Sequence, residues 1–136
     1  MSHGTTVLLI DDDPHYRDYY AYRLYAASSH YNVVHAATGQ SGLNICGSQS
    51  IDCVVLEIDL PDMSGFEVLA KLVPRAYHPE IAVIVLTRLP NQFMLDVALK
   101  NGAQFAFQKT VGSGDLLEQS IPQAISMVED LTRLVS

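Results

Sequence analysis

The chain is poor in cysteine, in basic residues and in long apolar runs, and each shortage excludes a class of protein. Two cysteines in 136 residues cannot form a disulfide framework, which favours a reducing compartment, the cytoplasm. Eight Lys and Arg against 15 Asp and Glu give a net charge of −7, so the bare domain lacks a basic surface for nucleic acid. No apolar run approaches the roughly 18 residues of a membrane span. The first residues also lack the pattern of a signal peptide.

The composition that remains is that of a folded domain. Apolar residues make up 49% of the chain and charged residues 17%, which excludes a disordered chain. No repeat, linker or low-complexity segment divides the sequence, so residues 1–136 are interpreted as a single domain.

Segments of strand and helix character alternate along the chain. Short apolar and β-branched runs predict strands at 5–10, 31–36, 53–56, 81–86 and 105–107. Helical patterns cover 14–27, 39–45, 66–73, 90–100 and a last segment from Ser113 or Asp115 to the end. Strict alternation predicts an α/β fold, a doubly wound five-stranded parallel sheet with five helices on its two faces.

The first helix shows how local signals set its boundary and its inner face. Asp13 is expected to cap the helix, and Pro14 suits its first turn. The helical spacing of Tyr20, Leu24 and Ala27 predicts that these three residues face the core.

Polar residues follow four of the five predicted strands. They are Asp11, Asp12 and Asp13 after the first strand, Glu57 and Asp59 after the third, Thr87 after the fourth and Lys109 after the fifth. In such sheets these carboxyl ends meet at one edge, where ligands bind. Carboxylates at close range repel one another, and a Mg²⁺ ion bound by hard oxygen ligands is the usual compensation. A lysine and a hydroxyl opposite them suit the oxygens of a phosphoryl group.

Four stretches carry a resemblance to a known family. VLLIDDDPHYR, VVLEIDLPDMSGFEVL, VIVLT and GAQFAFQK, which span Thr5 to about Val128, resemble the receiver domain of bacterial two-component response regulators. The resemblance implies flavodoxin-like (receiver) topology and a signalling domain that is not an enzyme. It also implies a histidine kinase or another signalling protein as one partner, and an output domain or protein as another.

The resemblance also assigns roles to the residues at the strand ends. In the family, an aspartate at the end of the third strand accepts a phosphoryl group, and Glu57 stands at that position here. Asp11 and Asp12 match the acidic pair that binds Mg²⁺, together with the residue at position 57 and the backbone carbonyl of Asp59. Thr87 and Lys109 match the residues that hold the phosphoryl oxygens.

Glu57 is the departure that matters most for function. One extra methylene displaces the carboxylate by about 1.5 Å, and an error of that size in an in-line reaction costs roughly 100-fold in rate. Signalling without phosphorylation is therefore the preferred hypothesis, and inefficient phosphorylation of Glu57 is the alternative. Mg²⁺ is the expected cofactor, with weakened or lost binding as the alternative that Glu57 leaves open.

Two further departures concern the coupling between the site and the surface. The family has Tyr or Phe three residues before the lysine, where this chain has Ala106. Without that ring, the usual rotation of an aromatic side chain has no counterpart here. Thr110 follows Lys109 where the family commonly has proline after a cis peptide bond, so a trans bond or a strained cis bond is expected.

The last helix, at about 113–136, carries an apolar seam longer than one domain needs. Its members are Leu117, Ile121, Ala124, Val128, Leu131 and Val135. The first half is expected to pack on the sheet, and Pro122 is expected to bend the helix. The second half is either a longer cap on the domain, a helix that continues into an output domain, or a homodimer face.

Other classes of function remain as alternatives. A Mg-dependent phosphotransfer enzyme on the same type of sheet needs an Asp-x-Asp pair, which Glu57 and Asp59 only imitate. A flavin-binding domain would have glycines and hydroxyls in its first loop, where this chain has three acids. A solvated loop lysine that merely pairs with Glu57 is the simplest structural interpretation of Lys109.

Overall fold

Five parallel strands form one sheet in the order β2-β1-β3-β4-β5. The protein is described by a computed structural model that covers residues 4–135, with the backbone alone at Val135. The strands are β1 (Thr5–Ile10), β2 (Tyr31–Ala36), β3 (Cys53–Leu56), β4 (Ala82–Thr87) and β5 (Phe105–Gln108). The prediction of a doubly wound α/β fold is confirmed.

Five helices alternate with the strands and cover both faces of the sheet. They are α1 (Pro14–Ala27), α2 (Gly39–Ser48), α3 (Gly65–Leu72), α4 (Gln92–Lys100) and α5 (Ser113–Val135). Helices α1 and α5 pack on one face, and α2, α3 and α4 cover the other. Strands β3 and β4 are buried along their whole length, which explains why their sequences are continuous apolar runs rather than alternating ones.

The bounds of three helices and two strands, and one core residue, differ from the predictions. Helix α3 lies one residue earlier than the predicted 66–73, β4 lies one residue later than 81–86, and β5 extends to Gln108. Pro90 does not open α4, because the Asn91 side chain accepts a hydrogen bond from the Met94 N–H and caps a helix that begins at Gln92. Helix α2 continues past residue 45 to Ser48. Ala27, the last residue of α1, is exposed, and Ala21 is buried instead.

The start of α1 is as predicted. The Asp13 side chain accepts a hydrogen bond from the His15 N–H at 2.9 Å, and Pro14 occupies the first helical position. Tyr20 and Leu24 are buried against the sheet. This cap places the acidic segment at 11–13 directly above the carboxyl end of β1.

Helix α5 packs on the sheet as far as Val128. The seam residues Leu117, Ile121, Ala124 and Val128 are all buried in the core beneath α1 and α5, and Pro122 lies within the continuous helix. Beyond this point Leu131 and Leu134 are exposed. The side chain of Val135, together with residues 1–3 and Ser136, lies outside the described residues, so Leu131 is the last seam residue whose side chain the structure describes.

Candidate functional site

The backbone of the sheet brings the predicted residues to one edge. The N–H of Glu57 donates to the carbonyl of Ile10 at 3.0 Å, which fixes the residue after β3 beside the end of β1. The N–H of Lys109 donates to the carbonyl of Thr87 at 2.7 Å, which fixes the residue after β5 beside the end of β4. Asp11 follows directly from β1. These residues meet because parallel neighbours end at the same level of the sheet.

The carboxylate of Glu57 is fully buried and accepts four hydrogen bonds. One oxygen accepts from the Thr87 hydroxyl and from the N–H of Asp59 at 3.1 Å. The other accepts from the N–H of Arg88 at 3.1 Å and from the Lys109 ammonium at 2.9 Å. Burial by itself would raise the pKa of Glu57, but the hydrogen bonds from Thr87, Asp59 and Lys109 outweigh it and hold the pKa below its ordinary value. Glu57 is therefore an ionised group with every lone-pair site occupied.

Lys109 is the buried cation of the site. Its ammonium lies 2.5 Å from Asp11 Oδ2 and 2.9 Å from Glu57 Oε1, and its side chain is 2% exposed. The ring of Tyr16 lies over the ammonium, with its centroid 3.9 Å from Nζ. Burial favours the neutral amine, but the hydrogen bonds to Asp11 and Glu57 outweigh this effect and raise the pKa of Lys109. Lys109 lies at the carboxyl edge of the sheet, and its side chain is buried rather than solvated.

Asp11 and Glu57 both contact Lys109, but their pKa values shift in opposite directions. Its Oδ1 accepts from the N–H of Asp13 at 2.9 Å, and its backbone carbonyl accepts from Arg17 at 2.6 Å. Burial raises the pKa of Asp11, and the hydrogen bonds from Lys109 and Asp13 only partly offset it. The inner part of the site thus holds two carboxylates and one ammonium.

Arg88 forms a second, outer group with two further acids. Its guanidinium donates to Asp59 Oδ2 at 3.0 Å, and its other terminal nitrogen lies 3.8 Å from Asp12 Oδ1. Sequence reasoning missed both Arg88 and Tyr16. The signal for Arg88 was present, because it directly follows Thr87 at the carboxyl end of β4.

The acidic residues have the chemistry of a divalent-cation site. Asp12 Oδ1 is buried and accepts no hydrogen bond from any residue that the structure describes, which leaves it available as a ligand. Asp11 and Asp12 supply the carboxylate oxygens that Mg²⁺ prefers. In the present arrangement of residues 4–135, no three His, Cys, Asp or Glu side chains converge on one metal position. Lys109 and Arg88 compensate the carboxylates instead.

A glycine fixes the loop that follows Glu57. The N–H of Gly65 donates to the carbonyl of Ile58 at 2.8 Å. A Cβ at this position would lie 2.4 Å from the backbone oxygen of Glu57. Only glycine permits this approach without a shift of the backbone that carries Glu57.

The structure also describes the two remaining departures from the family pattern, at Thr110 and Ala106. No peptide bond among the described residues is cis, so the bond between Lys109 and Thr110 is trans. Ala106 lies in β5 against the core on the α4 side, while Phe105 and Phe107 pack on the opposite face with rings 5.8 Å apart. The side of β5 that faces α4 therefore carries a methyl group and no aromatic ring.

Comparison with known proteins decides the family. The sequence profile of the response regulator receiver domain matches residues 7–120. The chain belongs to the receiver domain family. The matched range includes Asp11, Asp12, Thr87, Lys109 and position 57.

The curated relatives of this chain have different names, and the chain matches only a part of each. The chain is 34% identical over 86 residues to a probable cyclic di-GMP phosphodiesterase of Vibrio cholerae, covering 63% of this chain and 19% of that protein. It is 30% identical over 129 residues to the transcriptional regulatory protein GlrR of Escherichia coli, covering 92% and 27%. It is 30% identical over 113 residues to the nitrate/nitrite response regulator NarL of Escherichia coli, covering 83% and 51%. The receiver therefore spans about a fifth to a half of these relatives.

Solved receiver domains share the fold over nearly the whole chain. A CheY-like receiver domain of Methanospirillum hungatei is 28% identical with a TM-score of 0.78, and the match covers 93% of this chain and 98% of that one. The Mg²⁺–BeF complex of TrrA from Thermotoga maritima is 23% identical with a TM-score of 0.75, covering 88% and 98%.

Within residues 4–135 of the present receiver, no helix combines the length and apolar character needed to cross a bilayer.

Proposed function

We propose that this receiver signals without phosphorylation, because Glu57 occupies the position that a phosphoryl group would take. The observation that carries the proposal is the set of four donors on the Glu57 carboxylate, from Thr87, Asp59, Arg88 and Lys109. A phosphoryl group on a shorter aspartate would need donors in the same place. Glu57 supplies one negative charge to them, compared with nearly two for a phosphoryl group.

Burial of Glu57 supports the same conclusion. The side chain is fully buried, and both oxygens are already engaged by donors. An attack on a phosphodonor requires a carboxylate oxygen to leave these donors and align with the phosphorus atom. The alternative function, inefficient phosphorylation of Glu57, requires this rearrangement and is an outcome of the test below.

Mg²⁺ is the proposed cofactor. Asp11, Asp12 and the backbone carbonyl of Asp59 would hold it, Glu57 would join them only by exchanging one of its present donors for the cation, and the cation would neutralise charge at the acidic edge. Thr87 and Lys109 are proposed to transmit the state of position 57 to the rest of the domain. Glu57 engages both of them permanently, so these contacts do not depend on an incoming phosphate.

Partners are proposed from the family and from the names of the relatives. A histidine kinase or another signalling protein would be the input, and an output domain or protein the target. The relatives include transcriptional regulators and phosphodiesterases, so several types of output fit this receiver. We propose that residues 1–136 are a single receiver domain, cytoplasmic and without enzyme activity of its own. The family match favours this function over a Mg-dependent phosphotransfer enzyme or a flavin-binding domain.

The test compares beryllofluoride binding by the wild-type protein and by Glu57→Asp in the presence of Mg²⁺. We expect Glu57→Asp to show a bound ¹⁹F NMR signal and shifted amides of Thr87 and Lys109, and the wild type to show neither. Glu67→Asp, which shortens an exposed glutamate on α3, is the matched control and should behave as the wild type. A stoichiometric acyl phosphate on Glu57 after acetyl phosphate treatment would overturn the proposal.

A further inference from the structure

Four carboxylates and two cations form the site, and they are arranged in two levels. In the inner level, the buried ammonium of Lys109 is shared by Asp11 and Glu57. In the outer level, the guanidinium of Arg88 contacts Asp59 and approaches Asp12. The outer pair lies where a cation entering from solvent would first meet the acidic residues.

Arg88 is attached to the inner level through its backbone. Its N–H donates to Glu57 Oε1 at 3.1 Å, while its side chain reaches outward to Asp59 Oδ2 at 3.0 Å. The preceding residue, Thr87, also donates to Glu57 and accepts from the N–H of Leu89 at 3.2 Å. The start of the loop after β4 is thus held against Glu57, and the guanidinium is positioned over the acidic edge.

The guanidinium and a divalent cation would need the same oxygen atoms. Asp12 Oδ1 is buried, accepts no hydrogen bond from the described residues, and has the Arg88 guanidinium 3.8 Å away. A cation bound at Asp12 would bring two positive groups within a few ångströms of each other, which is unfavourable at any effective dielectric constant. Cation binding and the present position of Arg88 therefore disfavour each other.

The outer ion pairs are weak enough to be displaced. The Arg88 side chain is 39% exposed and that of Asp59 is 51% exposed, so solvent screens their attraction. The long arginine side chain can move into solvent without disturbing the core. The inner pair with Lys109 is buried and has no such freedom.

We propose that Arg88 is a built-in counter-ion that occupies the acidic edge and competes there with a divalent cation. The proposal rests on the Mg²⁺ site proposed above and assigns its affinity to a residue that is not itself a ligand. Removal of the guanidinium leaves Asp12 and Asp59 without their cation, which increases the attraction of the site for Mg²⁺. From the strength of exposed ion pairs we expect roughly a threefold to tenfold gain in affinity.

The experiment is a titration of the folded protein with MgCl₂, followed by the amide resonances of Asp12 and Asp59. The dissociation constant is measured for the wild type, Arg88→Gln and Arg88→Lys. Arg75→Gln is the matched control, since it removes the same charge from an exposed arginine in the loop after α3. Substoichiometric Mn²⁺ provides a second readout, because it broadens the resonances nearest to the bound ion.

Support requires tighter Mg²⁺ binding by Arg88→Gln than by Arg75→Gln, with Arg88→Lys in between and broadening centred on Asp11 and Asp12. Equal affinities for Arg88→Gln and Arg75→Gln would overturn the role of Arg88. Absence of Mg²⁺ binding in all four proteins would overturn it as well. Neither result bears on phosphorylation of Glu57, which the beryllofluoride experiment decides separately.

Discussion

The ammonium of Lys109 donates a hydrogen bond to the carboxylate of Glu57 across 2.9 Å, and both side chains are almost completely removed from solvent. Loss of one partner from a buried ion pair strongly destabilises the fold, because the other charge remains without compensation. The pair therefore links the stability of the domain to the chemistry of its site.

Replacement of Lys109 tests this link. In Lys109→Met the carboxylates of Asp11 and Glu57 remain buried without their shared cation, and we expect the free energy of unfolding at neutral pH to fall by about 3 kcal/mol. Urea unfolding measures the change. Lys100→Met, which alters an exposed lysine at the end of α4, should stay within about 0.5 kcal/mol of the wild type. A loss in Lys109→Met no larger than in Lys100→Met would show that the pair contributes nothing.

The pH dependence of stability tests the ionisation of Glu57. Its pKa in the folded state lies below the ordinary value of 4.5, because its hydrogen bonds outweigh the effect of burial. Its contribution to stability is thus present above about pH 4.5 and lost as the pH falls through the lowered pKa. We expect the wild type to lose more free energy of unfolding than Glu57→Gln between about pH 6 and about pH 3.

Asp11 has the opposite effect on the pH dependence of the free energy of unfolding. Burial raises its pKa, so its protonation favours the folded state as the pH falls. Both proteins retain Asp11, but the negative charge of Glu57 contributes to the raised pKa of Asp11, so the comparison reports the effect of Glu57 together with its influence on Asp11. Equal losses in the wild type and Glu57→Gln would contradict the lowered pKa.

Gly65 tests whether backbone packing positions Glu57. In Gly65→Ala the new Cβ would lie 2.4 Å from the Glu57 carbonyl oxygen, so the backbone must shift, and we expect a loss of about 1–3 kcal/mol. Gly47→Ala is the control, because a Cβ there meets no atom within 4 Å. Since Gly47 lies within α2, this change should stabilise the protein by about 0.5–1 kcal/mol. Thermal unfolding of both variants measures the difference, and equal melting temperatures would exclude the steric argument.

The exposed end of α5 tests the homodimer face, one of the three interpretations that the apolar seam allows. Leu131 and Leu134 are exposed one helical turn apart, beyond the part of α5 that packs on the sheet. We expect the sedimentation coefficient of the wild type to rise with concentration, and that of the double variant Leu131→Glu and Leu134→Glu to stay at the monomer value. Leu116→Glu, at an exposed position early in α5, is the control and should associate like the wild type. A wild type that remains monomeric at every concentration would refute the dimer.

Local sequence determined the fold and indicated several members of the site, although not Arg88 or Tyr16. Alternating strand and helix signals set the order of elements, and each signal acts within a few residues, as the Asp13 cap on α1 illustrates. A parallel sheet then places the carboxyl ends of its strands at one edge. The convergence of Asp11, Glu57, Thr87 and Lys109 was therefore predictable from the sequence.

Only the tertiary structure decided which charges pair. Lys109 and Asp11 are 98 positions apart, and Arg88 and Asp59 are 29 apart, so their contacts depend on the paths of separate loops. The sequence predicted a divalent cation as the compensation for the clustered acids. The folded chain brings two of its own cations to them. Lys109 contacts Asp11 in addition to Glu57, with which sequence reasoning had paired it, and Arg88 contacts Asp59 and approaches Asp12.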